Sequence, residues 1–349
     1  MQKIVIYVLL WASTSILLVL SSHVKAQNAR DYISIVGSST VYPFTAAVAE
    51  TFGKSTEFKT PKVESTGTGG GFKLFCNGVG VERPDIVNAS RKIKNTEAER
   101  CNKNGIRDIL EVKVGFDGIV VVNSRKSDTL DISLKDLWLA LAAKVPSADG
   151  EKAVNSNTYE TWADVNPNLP GIKIEVLGPP PTSGTRDAFV ELAMEGGCRE
   201  YSWIKDLKKS DKGRYKDICH TVREDGAFIE AGENDNLIIK KLVANHDAFG
   251  VFGFSFLDQN YDKLNGAIIN GVEPEFENIS DGSYPITRSL YLYIKMAHVG
   301  NIPGLREFLL EFSAERTWGP EGYLTDKGLI PMSNEDRELF RNVILEGFD

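Results

Sequence analysis

The stretch Ile33-Ser34-Ile35-Val36-Gly37-Ser38-Ser39-Thr40 begins as a short apolar run and ends in glycine and hydroxyl residues, before a segment with helical periodicity. Similar loops follow the apolar segments at Val63 and at 172–177. They read Ser65-Thr66-Gly67-Thr68-Gly69-Gly70-Gly71 and Thr182-Ser183-Gly184-Thr185-Arg186. Glycine lets backbone N–H groups approach a ligand, hydroxyls add donors, and helix N-termini add unpaired N–H groups with partial positive charge. We expect the three loops to converge into a cage of donors for one small oxyanion.

Strand and helix signals alternate along the chain, which predicts an α/β fold. The apolar patterns predict strands over 32–36, 112–123 and 289–294, and helices over 43–52 and 186–194. The length fits one large domain or two lobes of ordinary size.

The first 26 residues have the pattern of a cleaved secretory signal. Lys3 gives a basic start, residues 4–20 are mostly apolar, and Val24-Lys25-Ala26 fits the cleavage pattern. A retained membrane anchor is the alternative. Cleavage would remove two lysines and change the formal net charge from −8 to −10. An acidic chain argues against nucleic acid or an anionic membrane as partner, so affinity for an anion must come from local groups.

Four cysteines, Cys76, Cys101, Cys198 and Cys219, lie in the exported part. Export favours disulfides, and four cysteines allow three pairings. Because they form two close couples, we expect Cys76–Cys101 and Cys198–Cys219. Free buried thiols are the alternative. The spacing matches no zinc pattern.

Signals for catalysis are weak. The histidines His220, His246 and His298 lie in neither a Gly-x-Ser-x-Gly elbow nor a His-Glu-x-x-His helix. The acidic stretch 224–235 lacks the ligand spacing of a calcium loop. We therefore expect no catalytic residue, no metal and no cofactor.

Two arginines stand close to the hydroxyl loops. Arg91 follows a predicted buried strand, and Arg186 lies in the first turn of a predicted helix, where its charge opposes the helix dipole. A bound anion would resolve that conflict. A solvated face or a salt bridge, for Arg186 with Asp187, is the alternative.

Several motifs in order along the chain resemble the periplasmic phosphate-binding proteins of the high-affinity phosphate ABC importer. They are Gly37-Ser38-Ser39-Thr40-Val41-Tyr42-Pro43-Phe44, Ser65-Thr66-Gly67-Thr68-Gly69-Gly70-Gly71-Phe72, Asp85-Ile86-Val87-Asn88-Ala89-Ser90-Arg91, Ser183-Gly184-Thr185-Arg186-Asp187, Ala248-Phe249-Gly250-Val251-Phe252-Gly253 and Tyr284-Pro285-Ile286-Thr287-Arg288. The resemblance implies a two-lobed type II periplasmic-binding-protein fold with two hinge crossings, near 115–122 and 284–292. Lobe 1 would comprise 27–116 plus 288–349, and lobe 2 would comprise 117–287.

The family also implies which residues contact phosphate. Thr40 and the Val41 backbone match the first contact, Thr68 takes the place of a hydroxyl donor, and the third loop matches the Ser-Gly-Thr loop. The full expected set is Ser39, Thr40, Val41, Thr68, Gly69, Ser90, Arg91, Ser183, Gly184, Thr185 and Arg186.

The chain departs from well-known members of that family at two places. Those members have an aspartate where Arg91 stands, and an arginine and an aspartate where 179–181 are prolines. A second branch places the arginine after the motif, as Arg186 does. Asp187 is the nearest candidate acceptor for the proton on phosphate, with helix capping or pairing with Arg186 as the alternative.

The sequence thus predicts a monomeric, non-enzymatic periplasmic receptor that closes over inorganic phosphate and delivers it to the membrane permease of an ABC importer. Three alternatives stay open at this point. The first is a receptor for sulfate, arsenate or molybdate. The second is an exported phosphate-ester hydrolase on the same loops, and the third is a phosphate sensor or adhesion protein.

Overall fold

The computed structural model describes residues 30–147, 152–232 and 235–348. The predicted signal peptide over 1–26 lies outside the described residues. Strands alternate with helices, so the predicted α/β class is confirmed. In the part of the chain that is described, no helix is both long and apolar enough to cross a bilayer.

The strands are numbered in chain order. They are β1 (Ser34–Gly37), β2 (Lys62–Ser65), β3 (Ile86–Ala89), β4 (Ile109–Ser124), β5 (Asp131–Ile132), β6 (Lys144–Pro146), β7 (Val154–Ser156), β8 (Val176–Gly178), β9 (Phe228–Glu230), β10 (Phe249–Gly253), β11 (Leu264–Gly266), β12 (Ile268–Ile269) and β13 (Thr287–Lys295).

The α-helices are numbered in the same way. They are α1 (Tyr42–Ser55), α2 (Thr68–Phe75), α3 (Asn95–Lys103), α4 (Leu134–Leu141), α5 (Trp162–Val165), α6 (Gly184–Phe189), α7 (Glu195–Cys198), α8 (Ser202–Ser210), α9 (Lys212–His220), α10 (Asp235–Ala244), α11 (Phe254–Asp258), α12 (Phe276–Ser280), α13 (Leu305–Phe312), α14 (Glu315–Trp318) and α15 (Asn334–Glu346).

Nine of these strands form one sheet in the order β2-β1-β3-β13-β4-β10-β8-β9, with β11 also paired to β4. At one end, β1 is parallel to both β2 and β3. At the other, β8 is parallel to β10 and β9. The antiparallel strand β13 joins β3 to β4.

The long strand β4 belongs to both ends of the sheet. Its residues 109–118 pair with β13, and its residues 119–123 pair with β10. β4 and β13 therefore occupy the two predicted crossing segments. We propose that the lobes divide there; the ranges 27–116 plus 288–349 and 117–287 stay a prediction.

A close backbone approach fixes the first loop. Gly37 has φ of 140°, and a Cβ there would lie 2.1 Å from the carbonyl oxygen of Asn88. Only glycine accommodates both the backbone angle and the contact. The Ser38 N–H donates to the Asn88 carbonyl at 3.0 Å, and the Thr66 N–H donates to the Gly37 carbonyl at 2.8 Å. These bonds hold the ends of β1, β2 and β3 together.

The predicted helix over 186–194 differs from the observed structure in two respects. The helix α6 begins two residues earlier, at Gly184, and the chain changes to a π-helical turn over Val190–Met194. Phe189, at the end of α6, is fully buried and stacks near Phe228 of β9, with ring centroids 6.4 Å apart. Burying such a ring contributes roughly 1.5–3 kcal/mol and holds α6 against the sheet.

Both expected disulfides are present. Cys76 bonds to Cys101 and Cys198 bonds to Cys219. The first connects the end of α2 to α3, and the second connects α7 to α9. The pairing predicted from spacing is confirmed.

Candidate functional site

The first two hydroxyl loops and the Ser90 turn meet at one edge of the sheet, because β1, β2 and β3 are parallel and end side by side. The hydroxyl oxygens of Thr68 and Ser90 lie 3.1 Å apart, within hydrogen-bond distance. The Ser90 N–H also donates to the Thr68 hydroxyl at 3.2 Å. The expected meeting of these hydroxyl groups is therefore seen.

The third loop reaches the same place from the opposite part of the sheet. Ser183 precedes α6, and its hydroxyl accepts a hydrogen bond from the Thr185 N–H at 3.2 Å. Gly184 lies against the first loop: a Cβ on it would be 3.1 Å from the Ser39 carbonyl oxygen and 3.2 Å from the Thr40 Cα. The first and third loops thus touch across the cleft.

Two cavities meet at Thr40. The hydroxyl cavity, about 690 Å³, is lined by the first two loops and the Ser90 turn, including Ser39, Thr40, Thr68, Gly69, Ser90, Arg91 and Arg288. The Ser-Gly-Thr cavity, about 300 Å³, is lined by residues that include Thr40, Asp117, Ser183, Gly184 and Thr185. Thr40 lines both cavities, so the three loops lie around this residue. Val41 is wholly buried and lines neither cavity.

Arg288 supplies the cation at this junction. Its guanidinium donates to the Thr40 hydroxyl, to Asp117 Oδ2 at 3.3 Å and to Glu191 Oε2 at 2.9 Å. The side chain is only 8% exposed. Burial raises the pKa of Asp117, and the charge and hydrogen bond of Arg288 oppose that rise. A buried guanidinium beside serine and threonine hydroxyls can bind a tetrahedral oxyanion through charge-assisted bonds.

The two arginines chosen from the sequence have different surroundings. Arg91 lines the hydroxyl cavity and makes two bonds to Glu97, at 2.8 and 2.9 Å. Burial raises the pKa of Glu97, but the bonds from Arg91 and the Lys94 N–H outweigh it and hold that pKa below its usual value. In this structure Arg91 therefore forms a salt bridge with Glu97, which was the alternative interpretation, and it also lines the hydroxyl cavity.

Arg186 lies elsewhere. It lines a neighbouring cavity of about 710 Å³, which shares Asp187 with the hydroxyl cavity, and its guanidinium lies 4.1 Å from the ring centroid of Phe228. Burial lowers its pKa, and the charges of Glu230 and Glu224 oppose the shift. The structure does not bring Arg186 to Thr40.

Asp187, the candidate acceptor, contacts the first loop directly. Its Oδ2 accepts a hydrogen bond from the Ser39 hydroxyl at 2.8 Å. It lines the hydroxyl cavity, beside Glu191 one helical turn further along.

Sequence reasoning missed three residues of this site: Asp117, Glu191 and Arg288. Arg288 closes the motif Tyr284-Pro285-Ile286-Thr287-Arg288, so the signal was present but carried no assigned role. Antiparallel register sets Arg288 opposite Asp117, which a pairing of the two crossing strands would have shown. Glu191 has no sequence signal, because its contact with Arg288 joins residues 97 positions apart. Among the described residues, no group of three or more His, Cys, Asp or Glu is placed to hold a metal ion.

Known proteins are similar to this chain. A family model described as the PBP superfamily domain matches residues 24–315. Protein SphX of Synechococcus elongatus is 33% identical over 295 residues, which covers 82% of this chain and 75% of SphX. The phosphate-binding protein PstS of Staphylococcus saprophyticus is 29% identical, covering 86% of this chain and 80% of PstS.

Among solved structures, the chain is similar to a possible phosphate binding protein from Planctomyces limnophilus. The TM-score is 0.71 at 26% identity, covering 91% of this chain and 99% of the other. The predicted two-lobed fold is thereby confirmed. This chain belongs to the PBP superfamily, the periplasmic-binding-protein family that its motifs resemble.

Proposed function

We propose that this protein binds inorganic phosphate between its two lobes and delivers it to the membrane permease of an ABC importer. One observation carries the proposal: hydroxyl and glycine loops from opposite parts of the sheet meet at Thr40, beside the buried guanidinium of Arg288. The relatives named as phosphate-binding proteins support the same ligand.

The proposed contacts fall into two groups. From lobe 1, the hydroxyls of Thr40 and Thr68 donate to the anion. From lobe 2, Thr185 and the N–H groups at the start of the Ser-Gly-Thr loop donate. Ser39, Val41, Gly69, Ser90, Arg91, Ser183 and Gly184 stay in the proposed set. Arg288 takes the role that the sequence assigned to Arg186.

Asp117 is the proposed acceptor for the proton on phosphate. It lines the Ser-Gly-Thr cavity with Thr40 and Thr185, and its side chain is 12% exposed. The charge and hydrogen bond of Arg288 favour the ionised form of Asp117, and this form can accept a hydrogen bond from the proton that phosphate still carries near neutral pH. Sulfate carries none, so it would meet like-charge repulsion and an unmade hydrogen bond. A carboxylate acceptor at this position therefore favours binding of phosphate over binding of sulfate.

Binding across the cleft connects ligand binding to transport. A ligand that contacts both lobes stabilises the closed state over the open one, so closure reports occupancy to a partner. We propose export through the signal at 1–26, a periplasmic location, a monomeric state and a binding role without catalysis.

Calorimetric titration tests the proposal. The protein is first unfolded to remove bound ligand, and it is then refolded and titrated. Phosphate, sulfate, arsenate and a phosphate ester are added separately. We expect tight binding of phosphate and no binding of sulfate. Equal affinity for sulfate would replace the proposal with a general oxyanion receptor, and turnover of the ester would favour a hydrolase.

A further inference from the structure

Two carboxylates on one helical segment contact donors of the proposed anion site. Asp187 accepts a hydrogen bond from the Ser39 hydroxyl at 2.8 Å. Glu191, four residues later, accepts one from Arg288 at 2.9 Å. Both carboxylates line the hydroxyl cavity.

These donors are the kind that an oxyanion uses. A hydroxyl and a guanidinium both bind anionic oxygen, and a carboxylate is the side chain closest in chemistry to phosphate. We propose that Asp187 and Glu191 are internal competitors of the bound anion, occupying Ser39 and Arg288 until the anion displaces them. This inference rests on the proposed function and adds a control of its affinity.

Exposure distinguishes these carboxylates from Asp117. Both Asp117 and Glu191 contact Arg288, but the Glu191 side chain is 56% exposed and that of Asp117 is 12% exposed. Glu191 can turn into water at little cost, whereas Asp117 cannot. Asp187 is exposed as well. Arg288 therefore has one fixed acidic partner and one replaceable partner.

The competition has a distinctive consequence. Removing a residue that binds the anion weakens affinity, whereas removing a competitor strengthens it. Exposed ion pairs and hydrogen bonds of this kind are weak, so each removal should tighten binding by about two- to fivefold.

Calorimetric titration with inorganic phosphate tests the inference in four single variants. Asp187→Asn and Glu191→Gln remove the charge of each competitor and leave only a neutral, weaker acceptor in its place. Glu191→Asp keeps the charge but shortens the side chain, so the contact with Arg288 is lost. Glu200→Gln removes an exposed carboxylate that lines neither cavity and controls for net charge.

We expect tighter binding in the first three variants and no change in Glu200→Gln. Unchanged or weaker phosphate binding in Asp187→Asn and Glu191→Gln would overturn the inference. Tightening in Glu191→Gln but not in Glu191→Asp would also overturn it, since simple charge repulsion would then suffice. If the wild-type protein binds no phosphate, the proposed function fails together with the inference; if it binds but the variants match it, the inference alone fails.

Discussion

The hydroxyl of Thr40 accepts a hydrogen bond from Arg288, a residue 248 positions further along the chain. Thr40 ends the first hydroxyl loop, and Arg288 lies on β13, one of the two crossing strands. Arg288 also binds Asp117 on β4, the other crossing strand. The proposed anion site is therefore built onto the two segments at which we propose that the lobes divide, so that ligand contacts and lobe closure would involve the same residues.

Replacing Arg288 by lysine should weaken phosphate binding by about 1 to 3 kcal/mol, because an ammonium keeps the charge but cannot reproduce the planar fork. Arg186→Lys is the matched control, since Arg186 lines a different cavity. Calorimetric affinities of the two variants decide between the arginines. A large loss in Arg186→Lys with none in Arg288→Lys would return the role to Arg186.

The Thr185 hydroxyl should donate directly to the anion. Thr185→Ala should weaken phosphate binding by about 1 to 3 kcal/mol, the scale of one hydrogen bond to a charged group. Thr158→Ala, at an exposed threonine, should change nothing. Equal affinity in both variants would remove the Ser-Gly-Thr loop from the site.

The contact between the first and third loops should affect phosphate affinity as strongly as the hydrogen-bond donors do. In Gly184→Ala, the new methyl would lie 3.1 Å from the Ser39 carbonyl oxygen, a tight contact that should shift the first loop by a few tenths of an ångström. Overpacking costs about 1–3 kcal/mol, so affinity should fall by roughly tenfold or more. Gly171→Ala is the control, because a Cβ there meets nothing within 4 Å. If Gly184→Ala loses thermal stability but keeps its affinity, the closed arrangement of the loops is not needed for binding.

Local sequence patterns predicted much of the fold. The apolar run before Gly37, the long β-rich segment that became β4 and the close cysteine couples each predicted a feature that the structure contains. These signals are readable because strand burial and short loop closure depend on neighbouring residues.

The site was less predictable, because its charges come from distant strands. Arg288 meets Asp117 through strand register, and no local pattern encodes that pairing. Arg186 was chosen because it follows the Ser-Gly-Thr motif. Phe228, from β9, instead holds its guanidinium in another cavity. Glu191 contacts Arg288 across 97 positions of the chain, and no local pattern encodes that contact either.

Glu195 should make the free energy of unfolding depend on pH in the acidic range. Burial raises its pKa, but hydrogen bonds from His220, Lys208 and Tyr215 outweigh burial and lower it from 4.5 to about 2. A carboxyl with a lowered folded-state pKa stabilises the protein above its unfolded pKa, and that contribution is lost as pH falls from 4.5 towards 2. Wild type should exceed Glu195→Gln by about 1 to 3 kcal/mol in free energy of unfolding at pH 7.

Urea denaturation at pH 7, 5 and 3.5 measures this difference. It should shrink between the last two pH values. Glu200→Gln, which changes an exposed carboxylate, should show no such dependence. A difference that stays constant or grows in acid would show that the Glu195 contacts do not act through its ionised form.

The central claim is that Thr40, Thr185, Arg288 and Asp117 form a site selective for phosphate. Calorimetric titration of ligand-stripped wild-type protein at neutral pH, with phosphate and then sulfate, tests it most directly. The account predicts a saturable heat with one phosphate per chain and no competition from sulfate in excess. Competition by sulfate at similar concentration, or no heat with phosphate, would contradict it.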